Sequence, residues 1–448
     1  MPDACPLVLL GSPAKAGGRQ EEGRGPMTKK EQPQSAPVTP LMIDARSIPF
    51  FRALPACILV ALLLLSSVAS VQAQPGSNGS SPSTASILDD PFVRLQGKHG
   101  LDLLYDMKFE EAEHLFLQID QRFPDHPVGP FLLALNTWWE ILLDFSDTSH
   151  DKAFYAAMED VIDRCDRMLK QDKQHFDAMF FKGAAFGFRG RLRSNRREWF
   201  RAATDGKRAM DYVLGVANKD PDNHDYAFGK GIYDYYAAVI PARYPFIKPV
   251  TMFLPKGNRE RGLRQLERTA AEGYYIQTEA AYFLLQIYYL FEKNFTKSVE
   301  YVTWLRERHP ANSFFHTIEG RIYARWGYWG KVEPIFQDVL ARYKQGQAGY
   351  NAAAAEQALY YLARARMNAR QYQEALGYLL QLEALSARNA NDTYFKVMGR
   401  LRQGMTFDAL GQRALAQDRY RQVLSMTDWG NARKQARQYL KRPYGTMP

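Results

Sequence analysis

The chain has 448 residues, of which 46% are hydrophobic and 24% charged, with a formal net charge of +10. That balance supports a large buried core and excludes a disordered or collagen-like chain. Three cysteines exclude a disulfide scaffold and a four-thiolate zinc site, and the eight histidines show no H-E-x-x-H or H-x-x-x-H spacing in their place.

Residues 1–45 are rich in Gly, Pro, Gln and charge without apolar periodicity, and read as a disordered or untranslated extension. Met42 offers an ordinary start to the segment after it. Arg46 and Arg52, the apolar run Ala53 to Leu65 and the small-x-small triplet Val71-Gln72-Ala73 have the three-part layout of a secretory signal peptide. Residues 46–73 are therefore expected to be cleaved after Ala73, which sends the body to the periplasm or out of the cell. The alternative is a membrane anchor through residues 53–73, a stretch of about the ~20 residues that one span needs. Leu54-Pro55-Ala56-Cys57 is not read as a lipidation box, because its apolar stretch follows the cysteine. Residues 74–90 read as a flexible linker.

Loss of residues 1–73 removes Cys5, Cys57, seven basic and five acidic residues, so the exported body carries +8 and one cysteine. No internal disulfide is then possible. Packing alone must hold the body together.

From Pro91 onward, apolar helical patterns alternate with short Asn, Asp, Gly and Pro punctuation, and nothing reads as a sheet. Several segments share one order of residues: a small residue on a first helix, a turn, an aromatic, a second small residue and two large apolar residues. Gly100, Phe109, Ala112, Phe116, Ile119 and Pro124 follow it, as do Gly320, Tyr323, Trp329, Val332, Phe336 and Val339. Phe295, Ser298, Val302, Leu305 and Pro310 form a third unit. Tyr372, Ala375, Leu379 and Leu382, then Gly411, Ala416, Tyr420 and Val423, continue the series. The second-helix positions Gly262, Ser298, Val332, Ala375 and Ala416 are separated by 36, 34, 43 and 41 residues.

This helix-turn-helix period resembles the tetratricopeptide repeat, in the form found in exported bacterial proteins. The resemblance implies an all-α fold, a right-handed superhelix of stacked antiparallel helix pairs with about 14 to 16 helices and a concave face. Residues 91–255 read as divergent N-terminal repeats, and residues 256–448 as C-terminal repeats closed by a capping helix. A weaker similarity, carried by Pro241, Pro245, Pro249 and Pro255 with Lys256-Gly257-Asn258-Arg259 after them, links the middle segment to a eukaryotic tetratricopeptide family associated with lipid droplets and inclusion clearance.

No catalytic motif stands out. Gly229-Lys230-Gly231 lacks the third glycine of a dinucleotide fingerprint, and no phosphate loop or G-x-S-x-G elbow occurs. Cys165, in register with Met158, Ile162 and Leu169, reads as a buried small hydrophobe rather than a nucleophile. The segment from Phe188 to Arg201 departs most from its surroundings. Arg189, Arg191, Arg193, Arg196, Arg197 and Arg201, with Trp199, can be read as a grip for an anionic partner or as a turn whose arginines pair with acids of neighbouring repeats. Residues 240–254, with Tyr244 and Phe246, read either as an apolar loop touching a membrane or partner or as a flap over the groove.

The expected function is a non-catalytic scaffold in the cell envelope, presenting a basic, aromatic concave surface to a protein or peptide, acidic in character, with no cofactor, no metal and no nucleic acid. An envelope assembly or lipid-associated factor, or an accessory subunit of an envelope enzyme, is the alternative.

Overall fold

The computed structural model describes residues 86–219, 223–243 and 255–445, all within one compact unit, Ile43–Pro448. Residues 1–85, where the extension and the signal peptide are expected, and Tyr244 and Phe246 lie outside the described residues. Among the described residues there are seventeen α-helices and no strand.

The helices form eight antiparallel pairs and a final cap. The pairs are α1 (Pro91–Tyr105) with α2 (Phe109–Arg122), α3 (Val128–Leu143) with α4 (Asp151–Gln171), α5 (Phe176–Asn195) with α6 (Trp199–Lys219), and α7 (His224–Arg243) with α8 (Arg259–Glu272). Next come α9 (Gln277–Gln286) with α10 (Phe295–Arg308), α11 (Ser313–Trp326) with α12 (Trp329–Lys344), α13 (Ala352–Asn368) with α14 (Tyr372–Ser386), and α15 (Tyr394–Ala409) with α16 (Arg413–Ser425). Helix α17 (Ala432–Lys441) buries Ala432, Ala436 and Tyr439 and turns its basic residues outward, closing the core. Each helix packs on its neighbour in sequence, so the fold is an α-solenoid.

Three pairs are seated by one device. Gly100, Gly320 and Gly404 each lie where a Cβ would collide with the ring of the residue sixteen positions later, Phe116, Phe336 or Tyr420. A glycine on the first helix lets the aromatic of the second sit against bare backbone, and those three rings are fully buried. In the last pair Gly404 makes this approach, while Gly411, at φ 75°, forms the turn instead.

The boundary read at 255/256 falls inside a helix pair. Helices α7 and α8 pack closely across it, and a Cβ on Gly262 would stand 2.5 Å from the Tyr235 amide. The linker is also shorter than expected. Ser86 Oγ and the Ile87 N–H both donate to Asp177, at 2.5 and 2.7 Å, and Tyr275 donates to the Leu88 carbonyl. Residues 86–90 are therefore docked, because a buried carboxylate on α5 needs those donors.

The later repeats are tied to the N-terminal helices at α11 and at the turns before α11 and α13. Helix α3 touches α11, and Trp139 on α3 is buried among Tyr105, Tyr282, Phe314 and Phe315 with ring centroids 5.3 to 6.1 Å away. Asn312 and Asn351 each cap a helix with Oδ1, α11 and α13 respectively. Their Nδ2 groups donate to the carbonyls of Tyr105 and Leu143 on the N-terminal helices. Two cap residues thus tie distant pairs together.

Candidate functional site

The arginine segment is mostly internal. Helix α5 runs on to Asn195, which puts Arg189, Arg191 and Arg193 on a helix rather than in a turn. Arg189 donates through Nε and Nη2 to the buried Asp205 at 2.9 and 2.7 Å and through Nη1 to Glu159, while Arg193 Nη1 donates to the same Asp205 Oδ2 as Arg189 Nε, at 2.6 Å. Arg196 makes a two-pronged bond to Asp151 and caps the Phe145 and Asp147 carbonyls. Arg191 lies over the rings of Trp138, Tyr282 and Phe283. The reading of an ion-paired segment describes Arg189, Arg193 and Arg196. Arg197, Trp199 and Arg201 remain exposed, with Arg201 paired to Glu198. A charged cleft of about 600 Å³ between α4, α5 and α6 has Arg189, Arg193 and Lys182 on its walls, and these already meet Asp205, Glu159 and Asp166.

A different set of arginines lines the inner side of the C-terminal pairs. First helices touch one another, α11 with α13, α13 with α15 and α15 with α17, so they occupy the tighter face. Arg325 lies 5.0 Å over Tyr289 and donates to its carbonyl. Arg364 lies over Trp329, Tyr360 and Tyr361 at 4.9 to 5.7 Å. Arg402 donates to the Tyr360 hydroxyl at 3.1 Å. Among the described residues, none of these three has a carboxylate within 4.0 Å. Burial alone would raise the Tyr360 hydroxyl, while Arg402 and Arg364 beside it pull it below its usual value. Tyr289 is set by a π turn, Ile287–Glu292, of a kind that recurs at functional sites. Local reading of the sequence missed these arginines because none lies in a dense basic run; their intervals of 39 and 38 residues, close to the repeat length, were the available signal.

A cavity of about 400 Å³ lies between α1, α3, α5, α6, α7 and α9. Its walls are aliphatic, aromatic and glycine, including Leu101, Phe131, Phe188, Met210 and Ile232, with Arg191, Asp225 and Glu279 the charged residues among them. Asp225 is spent on the N–H groups of Tyr274, Tyr275 and Ile276. Glu279 is 7% exposed; its Oε1 accepts from Trp139 Nε1 at 3.2 Å, and its buried Oε2 accepts from no donor among the described residues. Burial raises the Glu279 carboxyl above its ordinary range, against the pull of Arg191 and of the Trp139 and Tyr105 side chains.

Cys165 is fully buried, and burial pushes its thiol up to about 12. Among the described residues, no group of three or more His, Cys, Asp or Glu is placed to hold a metal ion, and no helix is long and apolar enough to cross a membrane.

The fold is an all-α solenoid of stacked antiparallel helix pairs. No family model matches the chain, and no curated protein matches it. Among solved structures, a chain of the Naa15/Naa10 assembly bound to HypK-THB is similar at 16% identity with a TM-score of 0.29. The match covers 79% of this chain and 64% of that one.

Proposed function

We propose that the protein is a non-catalytic binding scaffold of the cell envelope that takes an acidic protein or peptide segment on the inner face of its C-terminal repeats. The observation that carries this reading is the run Arg325, Tyr289, Tyr361, Arg364, Tyr360, Arg402, in which the three guanidinium groups stack on aromatic rings and meet no carboxylate of the described chain. A planar guanidinium held on a ring is preorganised for two-pronged bonding to a carboxylate, and rigid rings add contact area at little entropic cost. The layout of residues 46–73 supports export.

The test is affinity capture from envelope extracts with wild type and with the Arg325→Glu, Arg364→Glu, Arg402→Glu triple variant, eluted on a salt gradient. Acidic partners of this face should be lost from the variant and released early by salt. Capture of the same set by both proteins would overturn the assignment of this face. Fractionation of cells, with sequencing of the mature N-terminus, tests the compartment.

A further inference from the structure

We infer that the apolar cavity lined by α1, α3, α5, α6, α7 and α9 binds one long alkyl chain bearing a carboxylate head, the chain lying along the glycine-bearing wall of α5 and the head meeting Glu279 and Arg191.

Size is the first ground. A volume of about 400 Å³ lies within the ~300–1,000 Å³ of small-molecule sites and equals roughly a dozen water molecules. Water itself is a poor occupant, since an interior water needs two to four polar partners and these walls offer few. One alkyl chain fits such a space, whereas a two-chain lipid asks for about twice as much.

The second ground is how the space is kept open. Gly183, Gly187 and Gly190 lie on one helix, α5, and all three line the cavity. Gly183 and Gly190 are held close by α6, with a built Cβ 3.0 to 3.2 Å from Tyr212, Ala202 and Asp205. Gly187 is different, because a Cβ built there has no neighbour within 4 Å. Helix packing therefore explains two of these glycines, while Gly187 is exposed and lies on the open side of the space.

Polarity selects the head. Glu279 Oε2 is a buried oxygen on the cavity wall that meets no donor at strict hydrogen-bond geometry, with the Tyr105 hydroxyl near enough to act on the carboxyl. Burial raises the Glu279 carboxyl, and in its protonated form Oε2–H would donate to an anionic oxygen. Arg191, on the same wall, supplies a positive charge to offset that anion, and the rings of Trp138, Tyr282 and Phe283 hold it in place. One arginine and one carboxylic acid suit a monoanionic carboxylate better than a phosphate, which carries more charge and more acceptors.

Calorimetric titration of the full chain with palmitate, octanoate and hexadecanol provides the test. Palmitate should saturate at one per chain, with octanoate at least tenfold weaker for want of buried chain and hexadecanol at least tenfold weaker for want of charge. Gly187→Leu should weaken palmitate at least tenfold while the melting temperature holds or rises. Arg191→Gln should weaken palmitate but leave hexadecanol unchanged. Absence of saturable palmitate binding, or unchanged binding in Gly187→Leu, would overturn the site; equal affinity for hexadecanol would overturn the head group. Should Gly187→Leu fail to fold, the chain-length series on wild type still decides. None of these outcomes bears on the inner arginine face, which is a separate surface.

Discussion

Glycines of this chain do opposite work at different positions, and one methyl group tells them apart. A Cβ on Gly320 would stand 2.5 Å from Phe336 Cε2 and 3.1 Å from Ile335 Cγ2, inside a closed seam. Gly320→Ala should therefore lower stability by ~1–3 kcal/mol in a denaturant titration. Gly377, within α14, has no neighbour within 4 Å of a built Cβ, so Gly377→Ala should raise stability by ~0.5–1 kcal/mol through helix propensity. Buried Glu356 offers a pH signature. Burial pushes its carboxyl up to about 7, with Arg388, 3.8 Å away, pulling it back and Asp144 adding to the rise. The folded state thus keeps a proton that the unfolded chain releases near the ordinary 4.5, and stability from this group falls as pH rises from about 4.5 to about 7. Glu356→Gln should abolish that fall, so the stability difference between variant and wild type grows across this window to at most ~3 kcal/mol and then levels. Parallel urea titrations at several pH values check it; a difference that shrinks with pH would refute the assignment.

At the scale of elements, α5 and α6 are joined by a buried Arg-Asp-Arg cluster. Asp205 is fully buried and takes three bonds from Arg189 and Arg193. Removal of the carboxylate would strand two guanidinium groups, so Asp205→Ala should cost ~3–5 kcal/mol. Arg201→Ser, on an arginine whose side chain is 70% exposed, should change stability by no more than ~0.5 kcal/mol. The pair of variants, melted side by side, separates structural arginines from solvent-facing ones. The helices themselves were legible: the expected second helix with Val332, Phe336 and Val339 is α12, and all three side chains are buried. The role of the arginine run was not legible from its own residues, because Asp205, Glu159 and Asp151 lie 12 to 45 positions away and reach it only through packing.

For the whole molecule, the departure from a plain repeat array is the return of α1 and α3 against α9, α11 and the turns at Asn312 and Asn351. In an ordinary solenoid a repeat touches only its neighbours, and damage stays local. Here Trp139, 1% exposed, joins helices far apart in sequence, so Trp139→Ala should cost ~3–5 kcal/mol. Hydrogen exchange should then quicken together in α3, α9 and α11; quickening confined to α3 would refute the tie. The sequence by itself determined that this chain is helical, that it is built from pairs near the tetratricopeptide length, and where most turns fall. Those properties follow from local periodicity, from small residues sixteen positions before a large ring, and from Asn and Gly at helix ends, all of which act over a few turns of chain. Tertiary structure alone decided which arginines are consumed inside the body, which meet no acid of the described residues on the inner face, and that a cavity lies between the early pairs and α9. Each of these depends on residues brought together across dozens to hundreds of positions, where charge pairing and excluded volume are settled by packing and leave no periodic mark in the sequence.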